Sequence, residues 1–274
     1  MSYFKPFPLK KYDIEKNKNT KSVTDLTKRV GVRGNMNNLI HSYNKISVPS
    51  ESRPEMVSYQ QYGHVNNYWI LLILNNIIDP YYDWVISSSV LDETIDRMYP
   101  NKNLLLYSDH FQTSTIVLDG TTYTKNTYNT VPDPTFFISG ETITGSVSSA
   151  TGQVVKFDST IKQIIYKQIS GTHTGTFVKD DIITGTDSTA KGKVESATTE
   201  REGVHHYESS APEEAGFVVD RGYVSVYGTT SYYSKEVTNA EYMDNENENN
   251  RNISLLKDSF ISTFEKEFNR KIGG

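Results

Sequence analysis

The stretch Gly185–Val194, GTDSTAKGKV, sets glycines beside a lysine as a phosphate-binding loop does. Its spacing defeats that chemistry, because six residues separate Gly185 from Gly192 and Val194 stands where Ser or Thr should follow Lys193. His205 and His206 are adjacent, so in a strand they project to opposite faces and share no metal. The nearest acids, Glu202 and Glu208, read as surface residues. Asp79, Asp83, Asp92 and Glu93 have the chemistry of a glycosidase acid/base pair, but spacing in sequence does not set a carboxylate separation. Asp79 before Pro80 reads as a turn former. No Ser-His-Asp order, Gly-x-Ser-x-Gly or His-Glu-x-x-His occurs. The chain is therefore read as no enzyme, with no catalytic residue, no metal and no cofactor.

Composition narrows the classes further. The 274 residues suffice for one large domain or two modest ones. Lys and Arg number 28 against 33 Asp and Glu, and a net charge of -5 argues against a nucleic-acid partner. Zero cysteines remove thiolate sites and disulfides and fit a reducing compartment of assembly. The first 18 residues lack the apolar core of a secretory signal. The most apolar stretch, YWILLILNNIIDPYYDWV at 68–85, is interrupted by Asn75 and Asn76, short of the ~20 residues a membrane span needs, so no membrane is expected.

The elements follow from pattern. A short helix is expected over SVTDLTKRVG, capped by Ser22 or Thr24 and closed near Gly31. Residues 50–63 predict a helix with Ser50 or Ser52 as cap, Pro54 in the first turn and Gly63 at its end. Residues 64–77 predict a buried helix stopped by Asp79-Pro80. YDWVISSS then predicts a strand, and 90–100 another helix. A hairpin is expected about Asp119-Gly120. A repeat follows without gaps at a constant offset of 40, Phe137–Val155 against Phe177–Glu195. It matches Phe137/Phe177, Ile143/Ile183, Thr144/Thr184, Gly145/Gly185, Ala150/Ala190, Gly152/Gly192 and Val154/Val194, which predicts a duplicated strand unit with shared turns. GFVVDRGYVSVYG alternates like strands, and NAEYMDNENENNRN reads as a solvated helix or linker. The last element is an amphipathic helix capped by Asp258, with Phe260, Phe264, Phe268 and Ile272 on one face to dock on this domain or a partner. Trp69 is assigned to the core. Tyr81, Tyr82 and Trp84 crowd a turn in the manner of interface hot spots.

One segment resembles a known family. RPEMVSYQQYGHVNNYWILLILNNIIDPYYDW, residues 53–84, is similar to the baseplate wedge protein 53 family of T4-like contractile-tailed phages, through Arg53, Pro54, Glu55, Tyr62, Gly63, Tyr68, Trp69, Asn75, Asp79, Pro80, Tyr81, Tyr82 and Trp84. NENNRNISLL adds Asn247, Glu248, Arg251 and Ile253. The resemblance implies a LysM-like β-α-α-β unit. The repeat region departs from the family pattern and reads as inserted, so the expected fold is α+β, that unit with a duplicated β-rich insertion and a C-terminal amphipathic helix. The expected parts are an N-terminal arm over 1–45, the LysM-like domain over 46–115, the insertion over 116–204, and C-terminal strands and helix over 205–274. The implied role is a structural subunit that joins neighbouring wedges around the tail hub, in the virion, after assembly in the host cytoplasm. Its partners would be other wedge proteins, numbers 6, 7 and 25 of the T4-like scheme. The competing reading is a LysM-type glycan-binding module. Expected interface residues are Tyr62, Tyr68, Asp79, Pro80, Tyr81, Tyr82, Trp84, Arg251, Phe260, Phe264 and Phe268.

Overall fold

The structure, a computed structural model, describes residues 6–13, 16, 20–25, 27, 42–81, 83–107, 115–118, 121–124, 136–169, 176–227 and 229–273. In chain order it forms β1 (Leu9–Tyr12), β2 (Lys21–Thr24), β3 (Tyr43–Ser47), α1 (Pro54–Tyr62), α2 (Tyr68–Leu74), α3 (Ser88–Met98), β4 (Lys102–Leu106), β5 (Thr115–Leu118), β6 (Thr121–Thr124), β7 (Thr142–Gly145), β8 (Thr151–Asp158) and β9 (Gln163–Gln168). There follow β10 (Ile182–Gly185), β11 (Lys191–Thr199), β12 (Val204–Ser209), β13 (Val218–Val219), β14 (Val224–Tyr227), β15 (Thr230–Thr238), α4 (Asn239–Asn250), β16 (Asn252–Leu256) and α5 (Asp258–Gly273). The fold is α+β, in two compact units: Met1–Leu91 with Asn245–Gly274, and Asp92–Asp244. No helix among the described residues is long and apolar enough to cross a membrane.

The first unit is closed by a long-range strand pair. β3 runs antiparallel to β16, Ile46 opposite Ile253. Asn75 locks α2 to that sheet by standing in for backbone: its Nδ2 donates to the Ser254 carbonyl at 2.9 Å and its Oδ1 accepts the Ser254 N–H at 2.7 Å. Asn247 does the same on α4, accepting Ile86 N–H at 2.9 Å and donating to Ile86 C=O at 3.1 Å. Val48, Val57, Leu71, Trp84, Val85, Ile253 and Leu255 form one core cluster. Phe7, Trp69, Ile70, Leu256, Phe268 and Ile272 form the other, with Trp69 and Phe268 rings 4.6 Å apart.

Several local expectations need correction. Residues 22–24 belong to β2, paired with β1, and not to a helix; 26 and 28–31 lie outside the described residues. Neither Ser50 nor Ser52 caps α1. Arg53 takes that place with extended geometry, as a residue before proline must, and Pro54 is the first helical residue. Gly63 does end α1, at φ 68°. After a 3-10 turn over Val65–Asn67, α2 ends at Leu74, well before Asp79-Pro80. Asn76, at φ 54°, donates to Ile73 C=O, and Ile77 donates back to Leu72 C=O at 2.8 Å. That is a Schellman stop, and Ile77 and Leu72 pack on the same cluster. The expected strand at 82–89 is absent: 83–87 are irregular and Ser88 begins α3. The strand that pairs with β3 is β16. In α5 the buried stripe is Ile261, Phe264, Phe268 and Ile272, while Phe260 is exposed. A spacing of four overshoots the 3.6-residue turn, so the row drifts off the face.

The second unit contains a closed barrel in the order β10-β11-β4-β9-β8-β7, beside a sheet ordered β13-β12-β15-β14. β5 and β6 pair as the expected hairpin. Each repeat copy is one hairpin, β7–β8 or β10–β11. The copies meet where Thr144 faces Thr184, about a local two-fold. The matched apolar positions Phe137/Phe177, Ile143/Ile183, Ala150/Ala190 and Val154/Val194 all pack in the barrel interior. Each copy also stabilises the other's turn. Glu141 accepts from Ser188 N–H at 3.0 Å and Asp187 N–H at 3.2 Å, and Asp181 accepts from Val147 N–H at 2.8 Å and from the Ser148 hydroxyl. Both carboxylates are buried. The glycines make room: a Cβ on Gly185 would stand 2.5 Å from Glu141 Oε2, and one on Gly145 2.9 Å from the Asp181 carboxyl carbon. Burial raises the Glu141 pKa, but bonds from Ser188, Ile138 and Asp187 outweigh it and hold the group below its ordinary value of 4.5.

A Glu depressed in the fold stabilises it above its unfolded pKa, and that stability disappears as pH falls through the folded value. Urea melts should therefore show wild type losing stability below about pH 4.5 more steeply than Glu141→Gln. At neutral pH Gly185→Ala should cost about 1–3 kcal/mol, the penalty of displacing a buried bonded carboxylate. Replacing the whole of 92–244 by a short Gly/Ser linker should leave a folded first unit by circular dichroism, because Asn247 already holds Ile86. Excising only 137–195 should not give a clean fold, because it strips β4 of its neighbours β9 and β11 and uncovers Leu104 and Leu106.

Candidate protein interface

Between α2 and α3, Ile78, Pro80 and Tyr81 turn outward on backbone that two aspartates bond. Asp83 Oδ2 accepts the N–H groups of Ile78 and Asp79 at 2.9 and 3.0 Å. Asp79 Oδ1 accepts Tyr81 N–H at 2.9 Å, and Asp79 C=O accepts Asp83 N–H at 2.8 Å. Both carboxylates are thus committed to holding the loop. The side chains it presents are Ile78, 62% exposed, Pro80, also exposed, and Tyr81, 83% exposed. A loop already ordered loses little entropy on binding, which is what a docking lip requires. Beside it lies a cavity of about 450 Å³ lined by Asn75, Asn76, Asn249, Asn250 and Asn252, with Asp83, Ile77, Ile78 and Ile253. It offers amides, one carboxylate and aliphatic wall.

The expected interface residues separate into groups. Asp79, Pro80 and Tyr81 come together in the lip, and Tyr82 lies outside the described residues. Trp84 is 4% exposed, in the core, and its indole N–H donates to Ser52 C=O at 2.6 Å, so the expectation of a surface hot spot is corrected. Phe268 is buried against Trp69, and Tyr68 and Phe264 pack on the same cluster, so these three, expected at an interface, pack inside the first unit, and the stripe docks on this domain, one of its two expected places. Of that stripe Phe260 alone is exposed. Tyr62 is half-buried, with its phenol against the Leu256 backbone. Burial pushes that phenol up to about 12, the Leu256 backbone lowers it in part, and Asp258 raises it further. Arg251 pairs with Glu248 at 2.7 Å and lends its carbonyl to Val48 N–H. Ile78 and the asparagine wall were not anticipated; the runs Asn75-Asn76 and Asn249-Asn250 were their only signal.

The chemistry weighed from sequence resolves in the second unit. The Asp187 and Ser188 amides of the glycine loop are taken by Glu141. Asp92 pairs with Arg201 at 2.5 Å. His205 and His206 do not diverge: a bulge between Val204 and His206 brings their Nδ1 atoms to 2.8 Å, and His205 stacks on Tyr242 at 3.9 Å. Burial depresses His205, with His206 and Lys156 adding to it. Among the described residues no group of three or more His, Asp or Glu is placed to hold a metal ion.

With this geometry in hand, the similarities to known proteins are specific. The profile of the family described as Base plate wedge protein 53 matches residues 1–104. A relative, baseplate wedge protein gp53 of Enterobacteria phage T4, is 33% identical over 54 residues, which cover 20% of this chain and 28% of the relative. The matched profile contains α1, α2 and the whole lip, and agrees with the resemblance carried by Arg53–Trp84. Residues 105–274, with most of the barrel, fall outside it.

Tyr81→Ala should leave the melting temperature within about 1 °C of wild type, since an exposed side chain contributes little to folding. Trp84→Ala should destabilise the first unit by about 3–5 kcal/mol, as loss of a buried aromatic does. Thermal and urea melts of both variants check this division.

Proposed function

We infer, from the premise that residues 1–104 belong to the base plate wedge protein 53 family, that this chain is a structural, non-enzymatic subunit of a contractile phage tail baseplate, docking through the lip Ile78–Tyr81. The observation that carries the reading is the lip itself, where two exposed apolar side chains and a proline stand on backbone locked by Asp79 and Asp83. Family motif residues split between those that build the unit, such as Tyr62, Trp69, Asn75 and Trp84, and those that face solvent, among them Arg53, Glu55, Pro80 and Tyr81. A motif that both folds and presents suits a protein whose work is contact. We take that contact to join neighbouring wedges around the hub, with wedge proteins 6, 7 and 25 as partners, during assembly in the host cytoplasm.

The spatial order β3, α1, α2, β16 supports the LysM-like reading, with the second strand supplied from beyond the second unit. The asparagine-lined cavity favours one competing reading, retained glycan binding, because amides suit the acetamido groups of peptidoglycan. Co-expression with the neighbouring baseplate genes separates the two. The subunit reading expects a stable complex that Tyr81→Ala weakens by about tenfold, the 1–2 kcal/mol of an interfacial aromatic, and no retention on peptidoglycan. Retention on peptidoglycan without any complex would reverse the assignment.

A further inference from the structure

The β3–β16 ladder is bonded at Ser254 on its β16 side and, among the described residues, meets no further strand on its β3 side. Val48 N–H donates to Arg251 C=O at 2.8 Å, and Lys257 N–H to Ser42 C=O at 2.9 Å. Antiparallel pairs alternate between bonded and non-bonded, so Asn44/Leu255 and Ile46/Ile253 are the bonded pairs between these two. The N–H and C=O groups of Ser254 and Leu256 therefore point away from β3. There Asn75 satisfies Ser254. The corresponding groups of Tyr43, Lys45 and Ser47 point away from β16 on the other side. Among the described residues they meet no hydrogen-bonding partner. Asn44, Lys45 and Ser47 are exposed.

Such an edge is a template for a further strand. A two-stranded sheet is also marginal alone and gains from a third strand. We propose that the free edge of β3 receives an extended strand from a neighbouring baseplate protein, with an acidic side chain opposite Lys45. A second β3 added antiparallel and centred on the same residue sets Lys45 against Lys45, a like-charge pair that destabilises that register. An acidic side chain opposite Lys45 is favoured instead, so a partner strand that carries one fits this edge better than a second copy in that register. This inference rests on the chain being an assembly subunit, and it concerns a surface other than the lip.

Residue-resolved hydrogen exchange on the full chain tests it, alone and co-purified with the products of the baseplate genes flanking its own. In the free chain the amides of Asn44 and Ile46 are protected, and those of Tyr43, Lys45 and Ser47 exchange freely. In the complex the latter three slow by about tenfold or more, as newly bonded amides do. Lys45→Pro removes one outward N–H without touching the β16 ladder; it should keep the wild-type melting temperature and abolish that protection. Free exchange at 43, 45 and 47 inside a stable complex overturns strand addition and leaves the subunit reading standing. Failure of any complex to form overturns both. Concentration-dependent protection in the chain alone identifies a second copy as the occupant and overturns the hetero-strand.

Discussion

The first unit depends on a pairing between parts of the chain that the sequence keeps far apart. Asn75 and Ser254, 179 positions apart, exchange two hydrogen bonds, as do Ile86 and Asn247, 161 positions apart. In both cases an amide side chain imitates a backbone strand, giving and accepting at once. Without β16, β3 has no partner, Val48 and Ile253 lose their common core, and α2 has nothing to lie on. Loop-closure entropy grows only slowly with length, so a whole barrel can sit between the two halves at modest expense.

The segment that the family profile matches thus depends for its sheet on residues from beyond the barrel, outside that profile. Trp84 and Asn75 secure one half to itself and to the other, and Arg251 and Asn247 answer from the far side. Conformational order then reaches the lip, whose backbone is fixed by two aspartates while its side chains remain outside. The barrel solves its own problem locally. Its two copies exchange carboxylates, Glu141 into one turn and Asp181 into the other, so neither hairpin is complete without its twin.

Periodicity and turn chemistry made α1, the buried start of α2, the repeat and the final helix legible in the sequence. They failed where tertiary partners decide. Trp84 looked like a surface aromatic because it crowds one turn with Tyr81 and Tyr82; only the fold shows that Tyr81 faces solvent while Trp84 is in the core. The second strand of the β-α-α-β order was sought next to α2 because connections are usually short, whereas it arrives after the barrel. The stop at Asn76 was hidden because asparagine replaces the usual glycine in the left-handed position. His205 and His206 were separated by strand parity, which a bulge abolishes. Of the candidate docking surface, the Asp-Pro-Tyr turn was visible in the sequence, and the asparagine cavity was not, since it joins residues on either side of the barrel in the chain.

The most direct measurement is an electron-microscopy reconstruction of the intact baseplate at side-chain resolution. It should show β3 paired with β16 and Ile78, Pro80 and Tyr81 buried against another subunit. A baseplate in which this chain sits with that loop still facing solvent would contradict the assignment of the lip as its docking surface.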